Sequence, residues 1–242
     1  MKKDFTHLQI VVILMFSMIA GELLAQTLPL SPNLINLNSK EGKRLLMESQ
    51  TREDFLPLIV HFTVQQNKAY CGVASSVMVL NTLSIPAPEA KKYAPYRLFT
   101  QDNFFNAAAR KVVIPEVVSR RGMTLDQLGK LLEAHAVNTT VYHSADTRLE
   151  DFRTLAVKNL ADSRNFILIN YLRKSIGQER GGHISPLAAY HEKTDRFLIL
   201  DVSRYKYPPV WVTAEKLWQS MTTVDSDANK TRGFVVVSAG LK

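Results

Sequence analysis

The single cysteine, Cys71, opens the run CGVASSVMVLN, and a thiol placed there could act as a nucleophile. Only the thiolate attacks, and an unperturbed cysteine, at about pKa 8.5, is mostly protonated near neutrality. A helix amino terminus supplies part of the activation, because its unpaired N–H groups and dipole favour negative charge. Val73, Ala74, Val77, Met78 and Leu80 predict a largely buried helix from Cys71 to Asn81, with the thiol at its start. Gly72 lets another group approach the sulfur closely. The rest of the activation has to come from an imidazole.

Of the six histidines, His7 falls in an amino-terminal leader, and His61, His135, His143 and His191 have no local feature that suggests a site. His183 differs: it follows Gly181 and Gly182 and opens a strand that turns back into the strand Phe197 to Ser203, which carries Asp201. With a three-residue loop at His191 to Lys193, Tyr190 opposes Thr194 and His183 opposes Asp201, so a carboxylate meets the imidazole. A four-residue loop turns Asp201 to the other face unless a bulge intervenes. Acyl transfer also needs donors for an oxyanion, and Gln65 stands six residues before Cys71. With the Cys71 backbone N–H it could serve, at roughly 3 kcal/mol per donor. The bland alternatives are a structural core thiol at Cys71, a polar strand-end residue at His183 and a strand-terminating Asp201.

The elements that must hold these residues read as follows. Ser39 caps a short helix carrying Leu45, Leu46 and Met47, and Leu56 to Val64 reads as extended. Pro86, Pro88 and Pro95 break the chain, and the aromatics from Tyr93 to Phe105 read as core within helices and loops. Thr124 with Gln127 forms a capping box ahead of Leu125, Leu128, Leu131 and Leu132. A strand from Thr139 to Tyr142, an amphipathic helix from Leu149 to Leu160 and an apolar strand from Phe166 to Tyr171 follow. Strands at His183 to Tyr190, Phe197 to Ser203 and Gly233 to Ser238 complete the reading. Helices first, then sequential strands joined by hairpins, argue for an α+β fold with an antiparallel sheet.

The segments NKAYCGVASSVMVLN, GQERGGHISPLAAY and RFLILDVSRYKYPPVWV resemble the catalytic domain of phytochelatin synthases. The likeness extends to LSPNLI, EGKRLL, TREDF, TVDS and TRGF, so it covers most of the chain. It implies a papain-like cysteine protease fold, with the chain order Gln, Cys, His, carboxylate and the oxyanion glutamine at papain-like spacing. It also implies glutathione as acyl donor, a γ-glutamylcysteinyl thioester on the cysteine, and resolution by water or a second glutathione. The matching catalytic positions are Cys71, His183, Asp201 and Gln65. Arg232 and Asp225 match positions that hold the γ-glutamyl end, and Asn170, Tyr205, Lys206 and Gly182 are further pocket candidates. No tightly bound cofactor or metal is implied; heavy-metal ions would enter as thiolate complexes with glutathione. Plant members carry additional cysteines, so one cysteine shifts the expectation toward shorter bacterial relatives that mainly hydrolyse glutathione. Two rivals stay open: a papain-like peptidase acting on ordinary peptides, and a non-catalytic protein binding metals or thiols.

With 242 residues and 46% hydrophobic composition the chain can bury one sizeable core. Lys2 and Lys3 precede an apolar run from Leu8 to Ala20, a signal-peptide layout over residues 1–25 that predicts an exported, periplasmic protein with a catalytic domain over 26–242. Leu23 weakens the cleavage site, which leaves an uncleaved membrane anchor open. The net charge of +8 suits small anionic substrates. The basic residues are scattered, with no arginine-rich run or helix-turn-helix pattern, which argues against nucleic acid. One cysteine excludes an internal disulfide and a multi-cysteine metal site. A homodimer is compatible with the sequence.

Overall fold

Alternate residues of the strand Asn165–Leu172 set the layering. Phe166 and Leu168 join one buried cluster while Ile167, Ile169 and Tyr171 join another, as the two-residue period of a strand requires when both faces are covered. The computed structural model describes residues 27–162 and 164–240, so the leader expected over residues 1–25 lies outside them. Helices are α1 (Lys40–Glu48), α2 (Phe55–Val60), α3 (Cys71–Thr82), α4 (Ala109–Val112), α5 (Pro115–Arg121), α6 (Leu125–Glu133), α7 (Leu149–Leu160) and α8 (Ala214–Met221). Strands are β1 (Ile35–Asn36), β2 (Val137–His143), β3 (Asn165–Leu172), β4 (Gly182–His191), β5 (Arg196–Ile199), β6 (Val210–Thr213), β7 (Val224–Asp225), β8 (Lys230–Thr231) and β9 (Gly233–Ala239).

Seven strands form one sheet in the order β1-β6-β5-β4-β3-β9-β2, with every pairing antiparallel, and β7 and β8 form a separate hairpin. Residues of α3 and α6 join the cluster on one face and residues of α7 and α8 the cluster on the other, an α+β arrangement. Ser39 and Thr124 cap α1 and α6 as their sequences direct, Thr124 through a complete capping box. Phe99, Phe104 and Phe105 are core, whereas Tyr93 and Tyr96 are exposed.

Two expectations are corrected, and of the two hairpin loop lengths left open the longer is found. Leu56 to Val64 is not extended: Phe55 to Val60 is the helix α2, and Pro57 sits in its first turn, where its missing N–H costs no helical hydrogen bond. The hairpin after β4 closes with four residues, Glu192 to Asp195, because His191 pairs with Arg196 and Asp195 adopts the left-handed conformation that ends the turn. The second strand stops at Ile199, so Asp201 lies just beyond β5.

Candidate active site

Cys71 is the first residue of α3, and Ser75, one turn on, ties the helix to β4 by donating to the Ile184 carbonyl at 3.1 Å. That bond sets Cys71 beside His183. The His183 ring and the Ile184 backbone N–H are the groups beside the thiol that favour its charged form. Burial pushes the Cys71 thiol up, but the charge of His183 first, with the polar groups of His183 and Ile184 beside the sulfur, outweighs it, and the net shift is downward. Gly72 has a different use from the one expected: a Cβ there would sit 2.6 Å from Met123 Sδ, so the close neighbour is the methionine of the cleft wall.

A four-residue hairpin loop alone would have turned Asp201 away from His183. The register shifts between Leu187 and Ala189, and beyond that bulge Leu187 faces Ile199 and the Leu200 N–H reaches the Pro186 carbonyl. The extra residue restores parity, and Asp201 returns to the face of His183 as a diagonal neighbour. His183 Nε2 lies 2.9 Å from Asp201 Oδ1, which leaves Nδ1 for the thiol. Burial acts to lower the His183 pKa and Asp201 to raise it, Arg173 opposes Asp201, and the net shift is upward.

Asp201 is fully buried. Its Oδ1 also accepts from the Ser203 N–H at 2.8 Å and from Arg173 Nη2 at 2.8 Å, and its Oδ2 accepts from Arg173 Nη1 at 2.7 Å. Burial alone would raise the carboxyl pKa; His183 and Arg173 together hold it well below the usual carboxylate range. Arg173 follows β3 in a 3-10 turn, Arg173–Ile176, and its guanidinium lies 5.2 Å from the centre of the Tyr207 ring. Neither Arg173 nor Ser75 was identified from the sequence, because nothing in YLRKSIG marks which of its two cations turns inward.

Gln65 is buried, with Oε1 accepting from Ser203 Oγ at 2.6 Å and Nε2 donating to the Asn67 carbonyl at 2.6 Å, 3.3 Å from Tyr205 Oη. Ser203 therefore links the carboxylate and the glutamine, through its N–H and its hydroxyl respectively. Tyr205 is half exposed, and Lys206 is ion-paired with Glu179 outside the cleft.

The cleft, about 380 Å³, is lined by Cys71, His183, Asn170, Gly182, Asp225 and Arg232, with Lys68, Arg120 and Arg121 at its cationic side. That volume is at the small end of the range for small-molecule sites. Arg232 Nη1 meets Asp225 Oδ2 at 2.9 Å and Asn170 Oδ1 at 3.3 Å, and the pair is largely buried rather than on the surface. A Cβ on Gly182 would stand 3.0 Å from Arg232 Nη1 and press on the guanidinium, so the glycine leaves that group room. Arg232 Nε is buried without a hydrogen-bond partner. Among the described residues no group of three or more His, Cys, Asp or Glu side chains is gathered as a metal site.

The model of the family described as phytochelatin synthase matches residues 25–234. This chain belongs to the phytochelatin synthase family. Similar members include glutathione gamma-glutamylcysteinyltransferase 3 of Lotus japonicus, 33% identical over 91% of this chain and 45% of the relative. Glutathione gamma-glutamylcysteinyltransferase 1 of Arabidopsis thaliana is 34% identical with the same coverage of both chains. Glutathione gamma-glutamylcysteinyltransferase of Schizosaccharomyces pombe is 27% identical over 80% of this chain and 45% of the relative. The chain therefore spans under half the length of these phytochelatin synthase relatives. All the site residues named above fall within the matched region.

Proposed function

We propose that this protein is a thiol acyltransferase of the phytochelatin synthase type that cleaves the Cys–Gly bond of glutathione. The reading is carried by a helix-start thiol sharing the cleft with an imidazole that lowers its pKa and whose Nε2 is held by a buried carboxylate. A helix-borne cysteine facing a histidine on an antiparallel sheet supports the papain-like fold as well.

The zwitterionic γ-glutamyl end enters the Arg232–Asp225 contact, its carboxylate taken by the guanidinium and its ammonium by Asp225, with Asn170 and the space above Gly182 completing that pocket. Lys68, Arg120 and Arg121 suit the glycine carboxylate. The Cys71 thiolate attacks the Cys–Gly carbonyl carbon, and the oxyanion is met by the Cys71 N–H, joined by Gln65 Nε2 once one of its N–H groups exchanges the long contact to Tyr205 Oη for the substrate oxygen. His183, protonated by the thiol, gives that proton to the departing glycine nitrogen as the C–N bond breaks, and a γ-glutamylcysteinyl thioester remains. Neutral His183 then takes a proton from water or from the amine of a second glutathione, which attacks the thioester and frees the thiol. Hydrolysis yields γ-glutamylcysteine and transfer yields a lengthened peptide. Heavy-metal ions enter as thiolate complexes of the substrate. Export through a leader over residues 1–25 belongs to the same reading.

Mass spectrometry of the intact chain mixed briefly with glutathione is expected to show an adduct of γ-glutamylcysteinyl mass with release of glycine, both absent in Cys71→Ala. No adduct and no glycine would remove glutathione from this reading.

A further inference from the structure

Arg173 is buried, has both Nη atoms on one carboxylate, and makes no contact with the cleft. A carboxylate facing an imidazole does two separable things: it orients the ring through a hydrogen bond, and it stabilises the ring's positive charge. In the proposed reaction the second effect is costly, because deacylation needs His183 neutral to accept a proton. A guanidinium clamped across both carboxylate oxygens leaves the orienting bond at 2.9 Å intact while cancelling most of the charge behind it. The pair then behaves toward the ring much as a neutral amide would.

We propose that Arg173 is a positioning residue of the acyl transfer: clamped on Asp201, it lets that carboxylate aim His183 without locking a proton on the ring. This rests on the acyl-transfer reading of the site. Every charged or titratable group packed on His183 fits the role. Cys71 faces it from α3, and the thiolate's charge disappears once the thioester forms. Tyr171 of β3 meets the ring edge-on at 5.7 Å, and burial first, then Asp201, hold its hydroxyl neutral. Arg232 and Asp225 stand beyond Gly182 and offset each other. With the thioester formed, Asp201 is the one anion against the ring among the described residues, and Arg173 is what limits it. The direction of Arg173's influence on His183, opposite to that of Asp201, agrees.

The test is an NMR titration of the His183 imidazole in a Cys71→Ser background, which removes the thiolate as acylation does. Arg173→Gln is expected to raise the titration midpoint by roughly one to two pH units, and Arg173→Lys, which keeps the charge, to leave it near the parent value. An unchanged midpoint in a folded Arg173→Gln protein overturns the proposal and reduces Arg173 to a structural contact. Where Arg173→Gln does not fold, Arg173→Gln with Asp201→Asn removes both buried charges. A midpoint near the parent's supports charge cancellation, and one displaced by more than a unit overturns it. In the Cys71-containing enzyme the acid limb of the steady-state rate is expected to move to higher pH in Arg173→Gln. Because the titration uses no substrate, failure of glycine release would strike the glutathione reading and leave the Arg173 result standing.

Discussion

Asp201 and Asp54 are both fully buried, and they are held in opposite protonation states. Asp201 receives hydrogen bonds from His183, from both Nη atoms of Arg173 and from the Ser203 N–H, and it stays a carboxylate. Asp54, just ahead of α2, has no partner on either oxygen. Burial first, then the charges of Asp162 and Glu53, push its pKa up to about 9, so it is a neutral acid at pH 7. Burial selects the uncharged form unless a cation and donors are supplied, and the fold supplies them at only one of these two sites. Arg232–Asp225 lies between the extremes, an arginine–aspartate pair with one side on the cleft.

The comparison is broken most severely by Asp201→Asn. It leaves Arg173 charged, buried and short of its acceptor, so unfolding in urea is expected to show a loss of about 3–5 kcal/mol, and glycine release should fall by roughly 10⁴-fold as the ring loses its orientation. Retention of a tenth of the activity would contradict the role given to the carboxylate. Opening the cleft pair by Asp225→Asn is expected to raise KM for glutathione roughly ten- to a hundred-fold, the loss of a charge-assisted bond of about 1.5–3 kcal/mol. Its melting temperature should shift far less than that of Asp201→Asn. Equal destabilisation of the two variants would erase the distinction between them.

Asp54→Asn sharpens the contrast through pH. Between about pH 4 and pH 9 the unfolded chain has Asp54 ionised while the folded chain keeps it protonated, so the folded state binds the extra proton and stability falls as pH rises. The amide removes that slope. The variant is expected to match the parent near pH 4 and to exceed it by at least about 1 kcal/mol at pH 8. Parallel stability curves would count against a neutral Asp54. Asp201 runs the other way: its depressed pKa contributes stability above about pH 4 that is lost on acidification. The smallest effect belongs to the exposed pair Arg44–Glu48, where Arg44→Ala should leave the melting temperature unchanged within error.

What could be read from the sequence follows the same physics. The helix at Cys71 was legible because its run of buried small and apolar residues admits little else, and Thr124 with Gln127 announced α6 through local hydrogen bonds alone. FLPLIV misled because six apolar residues around a proline carry no period that separates strand from helix. The helix α8, capped by Thr213, was passed over although its cap is local, since the strand β6 runs straight into it. Pairing His183 with Asp201 was within reach, and the longer loop with a bulge is the route taken: loop length and bulge are each invisible in the sequence, and their effects on strand parity cancel. Arg173 could not have been picked out, because its partner arrives from a different strand end 28 residues later.

The thiol lining the cleft is also the only one in the chain, and its residue is just 8% exposed. Any reagent that consumes thiol therefore places at most one label per chain, with no bystander cysteine to subtract. Comparing the labelling rate of the native chain with that of the chain in urea reads the reactivity of this one thiol by intact mass, before a single substrate has been tried.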